Sequence, residues 1–213
     1  MIATDTGRAA FENLKRLARS RRAKAEQCEL CSAALGSAHP HLLNAGTRNI
    51  LCSCDACAIL FPGRADQSFR RIPRNLRFLG DFKMGDAQWD ALRIPIEMAF
   101  FCRTGTPSRP VAFYPSPAGA IESLLSLDAW EEIVRENPAI AKMEDEVETL
   151  LVNRTMNPHE YYLAPIDECY GLVGLIRSQW RGLSGGKEVW QAIGGFFVSL
   201  KSRAIHTGGD SHA

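Results

Sequence analysis

Cys28-Glu29-Leu30-Cys31, followed after 22 residues by Cys54-Asp55-Ala56-Cys57, decides how the N-terminal quarter of the chain folds. Two residues between thiols let a tight turn aim both sulfurs at one ion, with backbone N–H groups left to stabilise the thiolate charge. Two such pairs complete a closed tetrahedral site. The loop between them leaves room for a hairpin: Leu42-Leu43-Asn44-Ala45-Gly46 to Ile50-Leu51 reads as strand, turn, strand. After Cys57, Ala58-Ile59-Leu60-Phe61 reads as one apolar helical turn, closed by Pro62-Gly63. Residues 26–63 are therefore expected to form a zinc-ribbon or treble-clef module with Cys28, Cys31, Cys54 and Cys57 as ligands. Zinc would supply about 10–16 kcal/mol of apparent binding energy, which doubles as folding energy in so small a unit. Buried free thiols, the alternative, leave the paired spacing without a reason.

Three neighbouring residues could add to this centre. Cys52 stands two positions before Cys54, on the same face if the segment is extended, and is expected to be a spare thiol or a support for the ligands. His39 and His41 lie between the pairs, where a polar hairpin surface is the simpler expectation. With Asn49 they form a string similar to the HNH nuclease pattern, but Ala58 follows Cys57 and the next histidine is His159, so a second set of ligands is missing. Iron is the rival metal. Rubredoxin-like carriers also use two such pairs, typically with glycine after each second cysteine, and here those positions are Ser32 and Ala58.

Composition sets the frame. Of 213 residues, 46% are hydrophobic and 23% charged, as in globular proteins with a real core. The chain has no run of eighteen apolar residues to span a membrane and its N-terminus resembles no secretion signal, so the expected location is the cytoplasm. Five of the seven cysteines fall between Cys28 and Cys57, which in a reducing compartment points to metal ligation and not to disulfides. Net charge is only +1, but residues 1–83 carry 14 Lys and Arg against 7 Asp and Glu, and the remainder is acidic. The basic part is expected to meet something acidic: a protein, a nucleic acid, or the chain's own second half. Arg16 and Arg19, on an amphipathic helix expected over 8–25, and Arg70, Arg71 and Arg74, in an Arg-rich connector over 64–87, are the candidate docking residues. Nucleic acid is disfavoured, because these arginines have no aromatic residues interleaved among them.

Residues 88–204 read as an α+β domain with a small antiparallel sheet. Ile94 to Cys102 and Pro110 to Tyr114 are expected to form a hairpin, and Pro115 to Gly119 to end it before a helix from Ile121 to Glu136. Met143 to Asn153 is ambiguous between helix and strand. Glu160 to Ile166 reads as a strand, with Asp167 as N-cap of a helix over Cys169 to Trp180. A last helix covers Lys187 to Arg203, and 205–213 reads as a disordered tail. No phosphate loop, dinucleotide fingerprint, nucleophile elbow or HExxH motif occurs, so the sequence nominates no catalytic residue.

Longer strings carry a family likeness: Cys28 to Cys31, His41-Leu42-Leu43, Leu51 to Cys57, Ala112-Phe113-Tyr114-Pro115-Ser116-Pro117-Ala118-Gly119-Ala120, Leu127-Asp128-Ala129-Trp130 and Pro165-Ile166-Asp167-Glu168-Cys169-Tyr170. In these the chain resembles an uncharacterised bacterial zinc-ribbon-containing family often encoded beside nickel–iron uptake hydrogenases of the actinobacterial type. The likeness runs from Cys28 to Arg203. It implies a non-enzymatic accessory protein, acting by contact with a hydrogenase subunit or maturation factor in assembly, maturation or coupling. An iron electron carrier and a nucleic-acid-binding zinc protein are the alternatives.

Overall fold

The computed structural model describes residues 26–62, 69–123 and 126–207; the helix expected over 8–25, with Arg16 and Arg19, lies outside them. The cysteine-rich segment forms the expected hairpin, with β1 (His41–Asn44) antiparallel to β2 (Asn49–Cys52), and α1 (Asp55–Leu60) follows at once. A third strand, β3 (Phe69–Arg71), pairs with the free side of β1 and completes a small antiparallel sheet in the order β2-β1-β3.

The second unit is α+β, as expected. Its elements are β4 (Arg77–Leu79), α2 (Asp86–Ala91), β5 (Met98–Thr104), β6 (Arg109–Ser116), β7 (Gly119–Ser123), α3 (Leu127–Glu136), α4 (Pro138–Ala141), β8 (Glu148–Asn153), β9 (Glu160–Pro165), α5 (Ile166–Gln179), α6 (Gly186–Arg203) and β10 (Ile205–Thr207). They build a seven-stranded sheet, β10-β4-β9-β8-β5-β6-β7, in which every pair is antiparallel except β10 with β4. Side chains alternate faces along a strand, so each central strand serves two cores. Met98, Phe100 and Cys102 of β5 point to one face, with Phe113, Leu151 and Tyr162, and are covered by Leu172, Ile176, Ile193 and Phe197 from α5 and α6. Ala99 and Phe101 point to the other, with Leu150, Val152 and Leu163, beneath Trp89 of α2, Trp130 and Ile133 of α3 and Ile140 of α4. Strand β8 is buried along its whole length, which resolves the ambiguity of Met143 to Asn153 in favour of a central strand.

Three expectations change because sheet pairing claims their residues. Gly119 does not lead into a helix; it turns the chain at a φ of 134° into β7, which pairs with β6 from Ser116↔Gly119 to Ala112↔Ser123, and the helix starts only at Leu127. The stretch read as connector contributes β3 to the small sheet and β4 to the large one. The tail is ordered through Thr207, because Ile205–Thr207 pair in parallel with Arg77–Leu79. A fourth change concerns Asp167. Helix α5 begins one residue before it, with Pro165 at the N-cap, and the Asp167 carboxylate is engaged elsewhere.

The two units meet through a small apolar cluster of Leu43, Ile72, Val147 and Ile166. Arg48 of the hairpin turn adds a contact, lying over the Phe113 ring at 4.7 Å and reaching the Cys102 sulfur.

Candidate metal centre

Both cysteine pairs are presented by short, strongly hydrogen-bonded turns. In the first, the Ser32 amide donates to the Cys28 carbonyl at 2.7 Å and the Cys28 amide to Ala33 at 2.8 Å. Ser32 takes a φ of 62°, the left-handed conformation that glycine adopts without cost at this point of a knuckle. In the second, Cys54 is the N-cap of α1 and Cys57 sits in its first turn, with the Ala58 amide bonded to the Cys54 carbonyl. Glu29 ties the two turns together: its amide donates to the Cys52 carbonyl at 2.9 Å, and its carboxylate accepts the Cys52 amide at 2.8 Å.

The four sulfurs of Cys28, Cys31, Cys54 and Cys57 all lie within 4.8 Å of one another, and Cys31 and Cys54 approach to 3.6 Å. Zinc–sulfur bonds of about 2.3 Å in a tetrahedron put sulfurs about 3.8 Å apart, so the cage fits a thiolate-bound ion. The donor chemistry agrees. Burial works against a charge on Cys28, but amides of Cys54, Leu30 and Cys31 donate to its sulfur and bring it down to about 6. Burial, together with the neighbouring sulfurs, pushes Cys57 up. Close-packed thiols hold one negative charge and resist the next; a divalent cation removes that conflict.

The other candidates fall in different places. His41 and Cys52 are directly opposite each other on β1 and β2, and His39 lies two residues before His41. One donor atom from each of these three lies within 4.8 Å of the others, a second cluster beside the first. The His41 Nδ1 is 2.7 Å from Asp167 Oδ2, across the joint between the two units, and this hydrogen bond raises the His41 pKa. Burial raises Cys52, helped by the charges of Glu29, Glu26 and Cys28. Asn49 pairs with Asn44 at the turn end of the hairpin, so the structure does not bring it to the histidines. Arg70, Arg71 and Arg74 are exposed, and Arg74 faces the cavity that His39, His41 and Cys52 line. Cys102 and Cys169 are buried in the sheet core, far from any ligand role, and Cys169 contacts the Thr149 hydroxyl at 3.1 Å. Sequence reasoning missed Asp167 as a partner of the hairpin. At 126 residues from His41 no local pattern could have announced it.

Residues 27–204 match a family model described as a family of unknown function, DUF5947. The chain belongs to this family. The match begins just before Cys28 and ends just after α6, so the metal module and the α+β domain are one family unit. No curated protein matches the chain. No solved structure matches it either.

Proposed function

We propose that this protein is a non-enzymatic zinc-binding accessory protein that works through protein–protein contacts, in the assembly, maturation or coupling of a nickel–iron hydrogenase. The observation that carries the metal part is the convergence of four cysteine sulfurs from two turns into a cage of ion size. Four protein thiolates close the coordination sphere, which suits a structural ion and leaves no position for substrate. The hydrogenase part rests on the family resemblance of the motif strings.

Docking by the module is supported by what surrounds the cage. Ile59 and Leu60 of α1, next to Cys57, are 69% and 63% exposed, and Arg70, Arg71 and Arg74 are exposed on the segment that carries β3. Exposed apolar side chains and exposed arginines are both found at docking surfaces. A pull-down from the native host, with metal measured on the same sample, tests both parts. One zinc per cage and co-purifying hydrogenase components are expected. A coloured, reducible iron site would overturn zinc, and salt-sensitive capture of nucleic acid in place of protein would overturn the accessory role.

A further inference from the structure

The cluster of His39, His41 and Cys52 has the chemistry of a metal site of a different kind from the four-cysteine cage. In each histidine Nδ1 is already committed to an acceptor: His39 to the Gly36 carbonyl at 2.8 Å, His41 to the Asp167 carboxylate at 2.7 Å. A carbonyl and a carboxylate can only accept, so both Nδ1 atoms carry a proton, and in the neutral form of each ring the lone pair sits on Nε2. The His39 side chain is only 9% exposed, and its Nε2 is buried with no hydrogen-bond partner among the described residues. A buried lone pair with no donor is costly unless something electrophilic sits against it. The Cys52 sulfur is the third donor, facing His41 across the hairpin.

We infer that His39, His41 and Cys52 form a second metal site, open on one side, which takes a borderline-soft divalent transition ion through two imidazole nitrogens and one thiolate. The donor set excludes magnesium and calcium, which take oxygen ligands, and suits zinc or cobalt. Hydrogen-bonding the far nitrogen of a ligating histidine to a carboxylate or a carbonyl fixes the ring and its tautomer, and both rings have such an anchor here. Three protein donors leave a fourth position. It opens into a cavity of about 520 Å³ that Arg74, Asp167, Glu168 and Arg203 also line. An ion here is held by the hairpin while its histidine is anchored to α5, so occupancy tightens the joint between the module and the α+β domain. The site is independent of the cage: the two share no ligand.

Cobalt(II) titration of the metal-free full-length chain tests this, because thiolate ligation gives visible absorption that differs between a four-sulfur and a two-nitrogen, one-sulfur sphere. Wild type should saturate at two equivalents. His39→Ala and Cys52→Ser should each saturate at one and keep the four-sulfur spectrum, which also shows that the module folds. Cys31→Ala should lose the four-sulfur spectrum, whereas His39→Ala and Cys52→Ser keep it, so failure of the cage and failure of this site are distinguishable. Asp167→Asn should still reach two equivalents, the second bound about 10–100-fold more weakly. A wild type that stops at one equivalent, or a His39→Ala protein that still takes two, overturns the second site. If both ligand variants also lose the four-sulfur spectrum, Asp167→Asn decides, and an unchanged second affinity overturns the proposal.

Discussion

Replacing Cys31 with alanine removes one of four thiolates from the cage while leaving both knuckle turns in place. If the ligands share about 10–16 kcal/mol of binding energy evenly, the loss is about 2.5–4 kcal/mol, or roughly 10²–10³ in zinc affinity. The module has little else to draw on. Apart from cysteines, its buried apolar side chains among the described residues before β3 are Pro40, Leu42, Leu43 and Ala58, and a fully buried leucine is worth about 1.5–3 kcal/mol. Removing one ligand therefore costs as much as exposing one of the two buried leucines to water. The α+β domain should stay folded, because its two cores flank the large sheet, and the module meets it through the Leu43 cluster, Arg48 and the His41–Asp167 pair. Competition against a chromophoric chelator reads the affinity, and hydrogen exchange reads the two units separately. The expected result is weakened zinc binding with protection lost over 26–62 and kept in β5, β8 and β9. Unchanged zinc affinity in the Cys31→Ala protein would refute the ligand assignment, and equal loss of protection in both units would refute their separateness.

Other outcomes follow from the same geometry. Cys169→Ala should leave zinc content unchanged and destabilise by about 1–2 kcal/mol, since it opens a small cavity while the Thr149 hydroxyl keeps its bond to the Ala164 carbonyl. A drop in zinc would mean that the ligand set is wrong. Phe101→Ala removes a fully buried ring stacked on Trp130 at 5.1 Å and edge-on to Trp89; a loss of about 3–5 kcal/mol is expected in chemical denaturation, and a loss below 1 kcal/mol would contradict the packing of that face. Burial pushes the Cys102 thiol up to about 11 and Cys169 higher still. At pH 8 only about one Cys102 in a thousand is then thiolate, so iodoacetamide should label neither in the native protein, and mass spectrometry of the labelled chain checks this.

The four-cysteine cluster was legible because paired thiol spacing is a local property. Two residues between thiols dictate a turn whatever surrounds it, and the hairpin and helical turn between and after the pairs followed from equally local patterns. The hairpin of β5 and β6, strand β9 and helix α6 were legible for the same reason. The large sheet was less so. Strands β4, β7 and β10 are three to five residues long and carry no hydrophobic alternation of their own, so they are strands only because a neighbour's unpaired edge accepts their backbone. Gly119 illustrates the limit: after Pro115-Ser116-Pro117 it reads as the end of a hairpin, yet at a φ of 134° it starts another.

What the sequence alone determined is thus the four-cysteine cluster and the α+β character of the second unit, both encoded in residues close together along the chain. Only the tertiary structure brings His39, His41 and Cys52 together as a cluster separate from the four cysteines. Their free nitrogens and thiol become a candidate site when Asp167, brought in from α5, takes the proton side of one ring, and burial leaves the other ring's Nε2 without a donor. Tautomer and desolvation depend on partners distant in sequence, and no spacing rule contains them.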